Sequence, residues 1–136
     1  MTNRAPISAE HNVETVHRIY AAVRAADVQT FFSYCHPDVI LEEASSLPVG
    51  GIYRGREEFG RALGTLAAAY DLSTLEIKHV VASGDVVVVN FVVRSPKPRA
   101  FEIEVAEWWH FRDGKVALVR PFYWDTAELI QKLSEA

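Results

Sequence analysis

Glu107 stands where the pattern of its neighbours calls for an apolar side chain. In residues 101–112, FEIEVAEWWHFR, Phe101, Ile103, Val105, Trp109 and Phe111 alternate with Glu102, Glu104, Ala106, Trp108, His110 and Arg112, the period-two pattern of a strand with one buried face. Glu107 falls on the apolar face, between Val105 and Trp109. A carboxylate in that position costs several kcal/mol unless it is paired, hydrogen-bonded or protonated. Pointing into the hollow of a sheet, it is suited to act as an acid or a base; buried against Arg54 or Arg120, it would instead be structural. A second carboxylate, Glu43, closes the short apolar run VILEE at residues 39–43, where the alternative is a solvated strand-end charge beside Glu42. If both face one pocket, repulsion and apolar walls raise the proton affinity of at least one of them. The result is an ionised base able to take a proton next to a carbonyl and a neutral group able to hydrogen-bond the enolate oxygen.

The elements that must position these groups follow from periodicity. Ser8 is suited to cap a helix reaching about Ala25, with Val13, Val16, Ile19, Tyr20 and Val23 on one stripe. On such a stripe Tyr20 is either core or catalytic. Asp27 caps a second, short helix carrying Val28, Phe31, Phe32 and Cys35, which His36-Pro37-Asp38 ends. After the VILEE strand, residues 44–55 read as a loop with a flexible Gly50-Gly51 pair. Arg56 to about Tyr70 forms a third helix with Phe59, Leu63, Leu66 and Tyr70 on its buried side. From Leu72 the period is that of strands: 75–82, 86–94, and a hairpin turned by Asp113-Gly114 whose second arm runs from Val116 to Trp124. A last helix over 125–135 is capped by Asp125 or Thr126. This order predicts an α+β domain in which a curved antiparallel sheet wraps into a cone around the N-terminal helices and leaves an apolar pocket.

Composition narrows the classes. The chain of 136 residues with 49% hydrophobic content reads as one domain spanning 1–136, with 1–7 disordered. A net charge of −4 without basic clusters excludes a nucleic-acid or anionic-membrane footprint. A single cysteine, Cys35, rules out an intrachain disulfide and reads as a buried thiol. No apolar leader or membrane span is visible, which points to a cytoplasmic protein. The five histidines lack metal-ligand spacing, and no nucleotide-binding or serine-hydrolase motif occurs. The expectation is therefore no metal and no cofactor.

Four phrases carry a resemblance: AAVRAADVQTFFSYCHPDVILEE, VGGIYRGREEF, HVVASGDVVVV and WWHFRDGKVALVRPFYWD. The organisation to which they belong spans essentially the whole chain, which resembles the nuclear transport factor 2-like cone folds and, within them, the ketosteroid isomerase and SnoaL-like polyketide cyclase branches. The isomerase pattern implies Glu43 as the base and Glu107 as the neutral oxyanion donor. It places the oxyanion tyrosine of the first helix at Ile19, with Tyr20 turned about 100° away. It also turns Val119, Pro121 and Tyr123 into the pocket and leaves Arg120, Phe122 and Trp124 outside. Tyr123 is then a spare donor, or a wall aromatic whose hydroxyl is satisfied elsewhere. Asp125 is a further acid or simply a cap, and Phe59, Val105 and Trp109 are pocket walls.

The function implied is a cofactor-independent acid–base enzyme, an isomerase, cyclase or dehydratase, acting on a small apolar steroid- or polyketide-like carbonyl compound. The alternative from another class is a noncatalytic ligand-binding or protein-interaction domain of the same fold. An apolar patch of Trp108, Phe122 and Trp124 on the outer sheet face, with Leu118, predicts a homodimer, as the resemblance also implies.

Overall fold

The computed structural model describes residues 7–98 and 101–135. Nearly all of the N-terminal stretch expected to be disordered lies outside the described residues. The elements run α1 (Ala9–Arg24), α2 (Val28–Ser33), β1 (Cys35–Glu43), β2 (Gly51–Arg54), α3 (Gly55–Ala69), β3 (Asp71–Ser83), β4 (Val86–Arg94), β5 (Glu102–Arg112), β6 (Lys115–Tyr123) and α4 (Thr126–Ser134). Six strands form one curved, unclosed sheet in the order β2-β1-β6-β5-β4-β3. The expected α+β cone is what the chain forms.

The helix starts follow from their caps. Ser8 Oγ accepts from the His11 N–H at 3.1 Å, Asp27 Oδ1 from Thr30 at 3.1 Å and Asp125 Oδ1 from Glu128 at 3.0 Å, each satisfying a donor that the first helical turn leaves free. The buried stripe of α1, with Val16, Ile19 and Tyr20, is set against the sheet.

Two features depart from expectation. β1 begins at Cys35, so His36-Pro37-Asp38 is strand and not a helix terminator, and β1 runs parallel to β6, pairing Leu41 with Val119. The stretch 44–55 is no open loop either: residues 51–54 pair antiparallel with β1, Ile40 opposite Arg54 and Glu43 opposite Gly51. The preceding turn is tied by Leu47 N–H to Ala44 O at 3.0 Å and Gly50 N–H to Leu47 O at 2.8 Å. A Cβ on Gly50 would run into the carbonyl oxygens of Ala44 and Leu47, so this glycine answers a close backbone approach and not a need for flexibility. The outer sheet face carries Trp108, Phe122 and Trp124, which are 39%, 51% and 84% exposed. Among the described residues no helix is long and apolar enough to cross a membrane.

Candidate active site

The concave face of the sheet and helices α1 to α3 enclose a cavity of about 70 Å³. Strand parity decides what enters it. Val105, Glu107 and Trp109 of β5 pair with Tyr123, Pro121 and Val119 of β6 on the inner face, and all six line the cavity. On β1 the alternation Val39, Leu41, Glu43 turns inward, and the Glu43 side chain reaches the cavity although the residue is only 4% exposed. Phe59 of α3 completes the walls that were expected. The remaining lining is apolar apart from Tyr20, Tyr70 and the groups just named, and it includes Phe31, Leu66 and Phe91. Among the described residues no basic side chain lines the space.

Each carboxyl group is held by a tyrosine. Tyr20 Oη donates to Glu107 Oε1 at 2.6 Å, and Trp109 Nε1 donates to Tyr20 Oη at 2.9 Å. Tyr123 Oη donates to Glu43 Oε1 at 2.7 Å. Arg120, one of the arginines considered as a partner for Glu107, sits on the opposite sheet face and binds Glu42 at 2.8 Å. Arg54 is exposed, and no ion pair to Glu107 or Glu43 forms among the described residues. Glu107 is half-buried and lines the cavity.

Burial without a cation pushes both carboxyl groups up. Glu43 rises from 4.5 to about 7, driven by desolvation and moderated by the Tyr123 hydrogen bond. Glu107 also rises to about 7, driven by desolvation, moderated by Tyr20 and raised further by the charge of Glu43. The two charges repel, so ionisation of one carboxyl group holds the other protonated. Both tyrosine hydroxyls are pushed above their ordinary value, by burial first and then by the neighbouring carboxylate, so they remain neutral donors.

These shifts have a measurable consequence for stability. Between about 4.5 and about 7 the folded protein binds more protons than the unfolded chain, so stability falls as pH rises through that window and levels off above it. The expected loss is roughly 3 kcal/mol for each carboxyl group that ionises in place. Asp27 and Glu76, lowered by bonds from Thr30 and Lys78, act only below the window, whereas His110, lowered by burial and by Arg120, works against the fall inside it but is one group against two. Thermal melts at pH 5 and pH 8 should show the lower Tm at pH 8, and the difference should vanish in Glu43→Gln/Glu107→Gln. A melting temperature that rises between those pH values in the unsubstituted protein would contradict the buried, cation-free pair.

Two positions differ from the transferred pattern. Ile19 is fully buried but contributes nothing to the cavity wall; Tyr20 does, its ring 5.6 Å from Trp109 and 5.7 Å from Phe91. One residue is 100° of helix, and the orientation of α1 brings Tyr20, not Ile19, over the strand carrying Glu107. Asp125 lies outside the cavity, where its carboxylate caps α4. Sequence reasoning also missed Tyr70, which was read only as the last apolar member of the α3 stripe. The available signal was a hydroxyl placed where the helical period gives way to strand.

Comparison with known proteins bears on what this arrangement is for. The model of the SnoaL-like domain family matches residues 16–119, most of the chain. The chain belongs to the SnoaL-like domain family. Similar SnoaL-like or related folds include an NTF2-like protein from Burkholderia xenovorans LB400 (23% identity, 93% of this chain and 98% of that one, TM-score 0.75). A Jannaschia sp. CCS1 protein assigned as a SnoaL-like polyketide cyclase covers 100% of this chain and 99% of its own at 20% identity and TM-score 0.79. TerC, co-crystallised with polyporic acid, has 22% identity, 92% and 99% coverage and TM-score 0.76. No curated protein matches the sequence. At these identities the structural likeness is one of fold. Among the described residues of this SnoaL-like chain, no three His, Cys, Asp or Glu side chains converge as a metal site would require.

Proposed function

We propose that this SnoaL-like protein is a cofactor-independent acid–base enzyme of the isomerase, cyclase or dehydratase kind, acting on a small apolar carbonyl compound. The observation that carries the reading is the pair of carboxyl groups, each bonded to a tyrosine, facing one apolar cavity with no cationic side chain among the described residues. Counting protons assigns the roles. An ionised Glu43 uses the Tyr123 proton in their mutual bond and keeps its other oxygen free as a base. A protonated Glu107 and Tyr20 hold two O–H protons between them, and the 2.6 Å bond uses one. The second is left for a ligand oxygen.

In the reaction, Glu43 takes a proton from the carbon beside the carbonyl. The C–H electron pair becomes the enolate double bond, and the carbonyl π pair moves to oxygen, where the Glu107–Tyr20 unit stabilises it. Reprotonation at another carbon would isomerise the substrate, and attack on a second carbonyl would cyclise it. Trp109 backs Tyr20 and walls off water. The polyporic acid held by TerC and the cyclase assignment of the Jannaschia protein accord with an apolar, oxygenated ligand.

The test is hydrogen–deuterium exchange at the α-carbons of a panel of enolisable ketones in D₂O, followed by NMR. Exchange above the buffer rate that is lost in Glu43→Gln supports the enzyme. Phenol binding with no exchange of any ketone would favour a ligand-binding domain of the same fold.

The exposed Trp108, Phe122 and Trp124 side chains support a homodimer through the outer sheet face. Sedimentation should give the mass of two chains, and Phe122→Asp should give one. A native protein that sediments as a monomer at micromolar concentration would remove this part of the proposal.

A further inference from the structure

The three cavity tyrosines differ in one respect. Tyr20 and Tyr123 each spend their proton on a carboxyl group, whereas the buried Tyr70 hydroxyl lies beside that of Tyr123 without a well-formed hydrogen bond among the described residues, and its own proton is uncommitted. Tyr70 is the C-cap residue of α3 and is 4% exposed. It lines the inner cavity and also a wider outer hollow of about 470 Å³, bounded by the end of α1, α2, α3 and the start of β3. The two spaces share Val23, Phe31, Leu63, Tyr70 and Leu72, so Tyr70 belongs to the wall common to both. Its neighbours at the polar end are Glu43 and Tyr123, and the Glu43 oxygen nearest Tyr123 is already in use.

We propose that Tyr70 donates a hydrogen bond to a second oxygen of the substrate, held beside the carbon that Glu43 deprotonates, and so selects doubly oxygenated compounds over singly oxygenated ones. A phenylalanine would fill the same space without burying an idle hydroxyl, and buried polar groups are ordinarily bonded. An acceptor arriving with the ligand completes the group. Tyr70 remains protonated, because burial and the Glu43 charge both oppose its ionisation, so the partner must accept: a carbonyl, ether or hydroxyl oxygen. The inference rests on the acid–base reading only in requiring the ligand's first oxygen to lie at the Glu107–Tyr20 unit.

The experiment is calorimetric titration of the protein and of Tyr70→Phe with phenol, the three dihydroxybenzenes and the three methoxyphenols. At least one doubly oxygenated isomer should bind about tenfold more tightly than phenol, the gain of roughly one hydrogen bond. A methoxy oxygen should serve as well as a hydroxyl, since Tyr70 needs only an acceptor. Tyr70→Phe should keep the phenol affinity, lose the tenfold excess and melt no lower than the unsubstituted protein. The inference is overturned if the excess persists in Tyr70→Phe, or if no isomer exceeds phenol on the unsubstituted protein while phenol itself binds. The methoxyphenol comparison on the unsubstituted protein keeps the test decisive even if the variant fails to fold: an excess seen with the dihydroxybenzenes alone would assign it to a hydroxyl donating to Glu43. If phenol does not bind at all, the acid–base reading fails and this inference falls with it.

Discussion

Glu43→Gln is expected to lower α-proton exchange of the best ketone by about 10²–10⁴-fold, the range that a positioned general base contributes. Glutamine matches the size of the side chain, and its Oε1 can still accept the Tyr123 hydrogen bond at the position now 2.7 Å away. What it lacks is a free oxygen basic enough to take a proton. The loss should fall on kcat with little change in KM, because the proposed donors to the substrate's oxygen, Glu107 and Tyr20, are untouched. The variant should also melt higher than the unsubstituted protein at pH 8, where an ionised Glu43 is costly in a site without cations. A rate within threefold of the unsubstituted protein would remove Glu43 from the chemistry.

Glu107 answers to a different test, because the proposed role needs it neutral. Activity requires Glu43 ionised and Glu107 protonated, and both groups are pushed to about 7. The profile of kcat/KM should therefore be a narrow bell centred near pH 7, falling about tenfold per unit on either side. Glu107→Gln keeps a neutral hydrogen-bond donor that cannot ionise, so the acid limb should persist and the alkaline limb should flatten. Glu107→Leu removes the donor and should cost about 10²–10³-fold, the usual effect of losing an oxyanion-stabilising group. If Glu107→Gln retained the alkaline limb, the assignment of acid and base would have to be exchanged or abandoned.

How much of this was legible in the sequence depended on whether the information was local. The alternation around Glu107 was visible because Val105, Trp109 and Phe111 flank it with the same parity, and one misplaced carboxylate is conspicuous on such a face. Glu43 was less clear: VILEE ends in two glutamates, and only pairing with β2 and β6 shows which of them turns inward. That pairing is not local. β2 is a four-residue strand between glycines, too short to display a period, and the parallel alignment of β1 with β6 joins segments some 80 residues apart. A bulge in β6, where Phe111 faces Val116 and His110 faces Leu118, lets both Val116 and Val119 point into the core. Nothing in KVALV announces it. The gapless transfer of the isomerase pattern puts the place of the helical tyrosine at Ile19, whereas the tyrosine that lines the cavity is Tyr20, one residue and about 100° along the helix. Asp125 satisfied the rule for a helix cap and does only that in the fold.

The measurement that tests the central claim most directly is NMR titration of the glutamate carboxyl carbons, selectively labelled, across pH 3 to 9. Two resonances should move with apparent midpoints near 7, well apart from the exposed glutamates. They should be assigned by their loss in Glu43→Gln and in Glu107→Gln, and the remaining one in Glu43→Gln should titrate at lower pH because the neighbouring charge is gone. Should every glutamate instead titrate between about 4 and 5, the two carboxyl groups would not share a dry, cation-free cavity, and the acid–base account would be wrong.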